Sequence, residues 1–229
     1  MTFLISSCWR LSEKSEPNGW GDALASFALK EDVDRVILMN VLDRMKNPWQ
    51  VFGGEAFRAE LDEHSPLTRN AGRYGLTWIL GANDRVLGKT EFKPVKERLE
   101  NRGVTFVADR TAILDRDGVG NPKFVALSMD GDSSLAVRQT RQSFMSLIHL
   151  RPPRVRQNDP LTEDVVRELA WDMAQNQTVV VVHDLPRRAS WTRIGPHDGH
   201  GVWVGCAGRP CDCLLVDPDE PWKARVLSL

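Results

Sequence analysis

Three groups of side chains in this 229-residue chain have the types and spacing that do chemistry. The first is a run of guanidinium groups. Between residues 133 and 158 stand Arg138, Arg141, Arg151, Arg154 and Arg156 with no Asp or Glu among them, although the chain as a whole balances 30 Lys+Arg against 31 Asp+Glu. The planar arginine fork donates two parallel hydrogen bonds to a phosphate, so the run reads as a surface for a polyanion, most commonly nucleic acid. Arg187 and Arg188 would extend it. The second is His183, which follows four valines directly, where a parallel sheet places residues that meet ligands. The third is His197 and His200 with Cys206, Cys211 and Cys213. Imidazoles and thiolates are zinc ligands, and a structural zinc would help to order such a tail. The C-x4-C-x-C spacing is not that of a paired zinc knuckle, and buried thiols are the other reading.

Carboxylates supply further candidates. Asp84, Glu91 and Lys93 follow Gly81, and two carboxylates beside a lysine could hold a divalent ion for a metal-dependent nuclease. The same stretch ends in Gly88-Lys89-Thr90, but its glycines are too widely spaced for a phosphate-binding loop. Asp115-Arg-Asp117-Gly118 resembles the opening motif of haloacid-dehalogenase-like phosphatases, although Asn121-Pro122 makes a hairpin tip the better reading.

Residues 90–135 carry a further likeness. A helix at 95–103, a strand at 104–109 and then Asn121-Pro-Lys123-Phe resemble the order of elements in phospholipase-D-like proteins. That resemblance implies a phosphodiester substrate, with Lys123 neutralising the phosphate and Asp130 near the family's acidic position. Asn121 stands where the family has its nucleophilic histidine, and an amide cannot play that part. The resemblance therefore implies binding without cleavage, or recruitment of another group such as His183.

The elements that must position these residues alternate between strand and helix. Apolar runs at 3–5, 36–39, 76–80, 104–107 and 179–182 read as strands, three of them without a polar residue. Residues 23–30, 57–63 and 95–101 read as helices, the last stopped by Gly103. Residues 111–114 and 124–127 form a hairpin, residues 135–150 and 162–173 read as helices, and 151–160 as a linker. The expected fold is α/β, a layered and mostly parallel sheet flanked by helices. It spans 1–190, and a loop-rich C-terminal segment at 191–229 packs on it.

A formal net charge of −1 excludes a polycation that wraps nucleic acid by bulk charge alone. The first eight residues lack the basic leader of a signal peptide, and no run reaches the ~18 apolar residues of a membrane span. A cytoplasmic protein with no membrane partner is expected. Its function would be to bind, and in a nuclease-like or degenerate way to process, a phosphodiester or nucleic acid, with Lys123, His183 and Asp130 at the centre. The alternative is a non-enzymatic adaptor or complex subunit that docks a protein partner, or a second copy in a homo-oligomer, through Trp191, Trp203 and Trp222.

Overall fold

The first strand, β1 (Phe3–Ser6), is apolar on both faces, so it must lie between two layers. Phe3 and Ile5 point into one core, and Leu4 into another. The computed structural model describes residues 1–7, 11–39, 41–43, 45–62, 64–81, 83–108, 111–130, 145–151, 178–183, 191–194, 202–206, 212–220 and 223–228. Three layers result: helices, a first sheet and a second sheet.

The chain builds the first sheet by strand–helix alternation. After β1 come α1 (Trp20–Lys30) and β2 (Arg35–Met39), then three short helices, α2 (Pro48–Gly53), α3 (Glu55–Glu60) and α4 (Pro66–Asn70). Next are β3 (Leu76–Ile79), two 3-10 turns over Asp84–Gly88 and Thr90–Phe92, α5 (Lys93–Glu100) and β4 (Val104–Val107). Strands β1 to β4 lie side by side and parallel. Helix α4 shows why a proline need not end a helix. Pro66 stands in its first turn, where no N–H is required, and the hydroxyl of Ser65 accepts from Thr68 N at 3.2 Å. The stop expected after α5 is present, since Gly103 has φ +89°.

The second sheet opens with the expected hairpin, β5 (Thr111–Arg116) and β6 (Pro122–Asp130), antiparallel. Strands β7 (Met145–Arg151), β8 (Thr178–His183), β9 (Thr192–Ile194) and β10 (Val202–Cys206) complete it in the order β5-β6-β7-β8-β10-β9. The expected helix over 135–150 is not found at its C-terminal end. Residues 145–151 are a strand paired in parallel with β6 and β8, and the buried Met145 and Leu147 keep the two-residue period of a sheet. The expected helix at 162–173 lies outside the described residues.

The last strands, β11 (Asp212–Val216) and β12 (Arg225–Ser228), return to the first sheet, whose order is β12-β11-β1-β2-β3-β4. Since β11 is antiparallel to β1, and β12 to β11, the sheet is mixed rather than mostly parallel. The second sheet is mixed in the same way, with parallel strands in the middle and antiparallel strands at its edges. The described strands of the C-terminal segment are thus members of both sheets.

Helices cover one face of the first sheet, where Leu4, Leu38, Trp78 and Phe106 join Leu24, Phe57 and Leu99 in one core. The second sheet covers the other face, where Ile5, Ile37 and Ile79 meet Phe124, Leu147 and Val180. Both parallel blocks run the same way. Phe3, at the start of β1, packs edge-on against Phe124, near the start of β6, with centroids 4.7 Å apart. At the far end the indole N–H of Trp191, beside the end of β10, donates to the carbonyl of Asp212, beside the end of β1, at 3.3 Å. The molecule therefore has a rim where parallel strands start and a rim where they finish. No helix among the described residues is long and apolar enough to cross a membrane.

Candidate functional site

In the second sheet the register gathers several chemically capable residues at the finishing rim. Asp130 ends β6 and pairs with Arg151, which ends β7. His183 ends β8, with Leu150 as its partner on one side and Cys206, the last residue of β10, on the other. Four candidates thus fall on adjacent strand ends, where parallel sheets receive ligands.

In the first sheet the same rim is organised by Asp84, whose side chain is fully buried. One carboxylate oxygen accepts from Leu42 N at 2.7 Å. The other accepts from Gly81 N at 2.9 Å, the Trp78 indole N–H at 3.0 Å and Val41 N at 3.2 Å. One side chain therefore ties the loops leaving β2 and β3 to each other. A carboxylate with so many donors facing it is a structural anion, and its lone pairs are directed at protein N–H groups. The Gly81 N–H that a phosphate loop would offer to a ligand is taken by this carboxylate. Glu91 and Lys93 are exposed, and Lys93 lies 3.4 Å from Glu97, so neither joins the buried Asp84 in one cluster. Among the described residues no three His, Cys, Asp or Glu side chains are grouped as a metal site.

Lys123 belongs to the other rim. It is the second residue of β6, seven positions before Asp130, which at about 3.3 Å per residue puts the two roughly 23 Å apart. Its ammonium is paired with Asp219 and lies 3.8 Å from Asp115. The chain's first amino group shares the cluster, 3.7 Å from Asp217 and 4.0 Å from Asp219. Burial alone would lower the pKa of Lys123, but the hydrogen bond and charge of Asp219, with the charges of Asp115 and Asp217, outweigh it and raise the pKa. Such a lysine joins the β5–β6 hairpin to the loop after β11. Asn121 is likewise engaged, its amide N–H2 donating to Asp117 at 3.0 Å across the hairpin tip. Lys123, Asp130 and His183 are therefore not brought together.

The thiols are divided as well. Cys206 lies in the second sheet, whereas Cys213 lies in the first and is buried in the helix-facing core. Cys211, His197 and His200 lie outside the described residues, as do Arg138, Arg141, Arg154, Arg156, Arg187 and Arg188. Trp191 and Trp203, expected at a docking surface, are buried between the sheets, because their strands bring them under the first sheet. Trp222 lies outside the described residues.

A second buried carboxylate was not anticipated from the sequence. Glu60 accepts from Asn18 N and Gly19 N at 2.8 Å and from Gly21 N at 2.5 Å, so it serves as the internal anion at the start of α1. Gly21 is required there, since a Cβ would lie 2.6 Å from the Glu60 carbonyl oxygen. The spacing Asn18-Gly19-Trp20-Gly21 was the available sign of such a turn, but nothing local to it indicates Glu60.

No known family model matches the chain, and no curated protein matches it.

Proposed function

We propose that the chain binds a nucleic acid or a similar phosphodiester polyanion at the finishing rim of its second sheet. The observation that carries this reading is the placement of Arg151 and His183 at neighbouring strand ends. The sequence continues from Arg151 through Arg154 and Arg156, and from His183 through Arg187 and Arg188. These four arginines lie within five residues in sequence of Arg151 or His183. Arg138 and Arg141 belong to the connection between β6 and β7.

Binding is the primary activity in this reading. Lys123 takes no part, being neutralised at the far rim. Cleavage in this reading would draw on His183 and Asp130, the last residues of β8 and β6.

Fluorescence anisotropy with labelled oligonucleotides tests the proposal. Arg154→Glu with Arg156→Glu should weaken binding at least about tenfold and make the salt slope shallower by roughly two counterions. Lys123→Ala should leave binding unchanged. Absence of binding by the wild-type chain, or binding indifferent to the double reversal, would overturn the reading.

A further inference from the structure

We propose that Trp49 is a stacking platform for an unpaired base, with Lys46, Lys89 and Lys93 meeting the flanking phosphates. This rests on the nucleic-acid reading above and narrows it to single strands. Trp20, Trp78, Trp191 and Trp203 are all at most 7% exposed, whereas Trp49 is 52% exposed. Among the described tryptophan side chains it alone offers a broad face to solvent.

The exposed ring is held in place. Pro48 occupies the first turn of α2, and the side chain of Asn47 accepts from Trp49 N at 3.1 Å. The indole leans on Phe92 with centroids 4.7 Å apart; Phe92 lies 5.2 Å from Phe52, and Phe52 lies 5.2 Å from Phe57. Four aromatic rings thus run from the surface into the core. A surface ring backed in this way has little freedom left to lose when a base stacks on it.

The platform belongs to the helix layer on the first sheet. Helix α2 follows β2, and the 3-10 turn carrying Phe92 follows β3. Lys46 precedes Trp49 by three residues, and Lys89 and Lys93 bracket Phe92; all three are exposed. The local charges balance, three lysines against three glutamates. Glu91 is exposed nearby, Glu13 accepts from the backbone N–H of Asn47, and Glu97 accompanies Lys93. Trp49 therefore supplies a contribution that salt does not screen, while Arg151 and the arginines that follow β7 and β8 in sequence carry the salt-dependent part.

The test uses the full chain and one labelled oligonucleotide sequence, offered single-stranded and as a duplex. Trp49→Ala should weaken single-strand binding on the order of tenfold at low and high salt alike, while leaving duplex affinity unchanged and the chain folded at the assay temperature. Trp49→Phe should retain most of the affinity. Equal single-strand affinity in Trp49→Ala, or a wild-type chain that binds only duplex, would overturn the platform and leave the wider reading standing. A wild-type chain that binds neither form would overturn both.

Discussion

At the starting rim, Lys123, Asp115, Asp217, Asp219 and the first amino group neutralise one another across the two sheets. At the finishing rim, Asp84 is enclosed by four N–H donors, while the strand ends of the second sheet bring Asp130, Arg151 and His183 into a row. The difference lies in what each charge has facing it. An ammonium within reach of several carboxylates acts as a clamp, whatever motif it resembles. A carboxylate saturated by backbone donors acts as a fastener for loops. Parallel sheets receive ligands where strands end and the chain turns away, and the proposed site is placed at the finishing rim of the second sheet on that ground.

The sharpest way to break this contrast is Asp84→Asn. The amide keeps one acceptor oxygen but turns its NH2 group toward at least one backbone N–H in a fully buried site, and the anion that faces four donors is lost. Chemical denaturation should show a loss of at least about 3 kcal/mol. A loss below about 1 kcal/mol would mean that the loops after β2 and β3 do not depend on this carboxylate.

A smaller effect is expected at the clamp. Lys123→Met removes the cation while Asp115, largely buried at 10% exposed, stays behind. About 1–2 kcal/mol should be lost, less than for a fully buried pair because Asp219 is more than half exposed. The pKa of Lys123 is raised in the fold, so its contribution is complete below the ordinary value of 10.5 and disappears as pH rises through the higher folded value. The gap between wild type and Lys123→Met should therefore be level through neutral pH and close only above about pH 10.5. A gap that already closes near pH 8 would contradict the clamp.

The smallest effect is local. At the hairpin tip Asp117 accepts from the Asn121 side chain, and from the N–H groups of Asn121 at 2.8 Å and Val119 at 3.0 Å, and its pKa is lowered. The side-chain hydrogen bond of Asn121 is the main cause. Its contribution is present above the ordinary 3.8 and is lost as pH falls through the lower folded value. The amide resonances of Val119 and Asn121 should shift only below about pH 3.8, with the rest of the sheet unmoved. A shift starting near pH 5 would show that the tip is not held in this way.

Much of the fold was legible in the sequence where the signal is local. The apolar runs of β1 to β4 and β8 marked strands, most clearly in β2 and β8, where four apolar residues in succession need cover on both faces. Gly103 marked the end of α5 because a left-handed turn favours a residue without a Cβ. The β5–β6 hairpin was marked by its cluster of turn-forming residues. The strand at Met145–Arg151 was misread because its apolar residues also fit a helical spacing, and only pairing with β6 and β8 decides between the two periods. The candidate site was less legible. The arginines and His183 could be named, but the positions of Lys123 and Asp130 at opposite ends of one strand could not be judged until β6 was seen to extend through Asp130.

The amino-acid sequence by itself determined the kinds of element, several of their ends, and the segregation of arginine into one stretch, because each depends on residues within a few positions of one another. Tertiary structure alone decided the rest. It inserted β11 beside β1 through the pairing of Ser6 with Cys213, laid the two parallel blocks in the same direction, and turned Asp84 and Glu60 into internal anions. These outcomes depend on strand pairing and on donors from distant segments, which have no signature in any short stretch of chain.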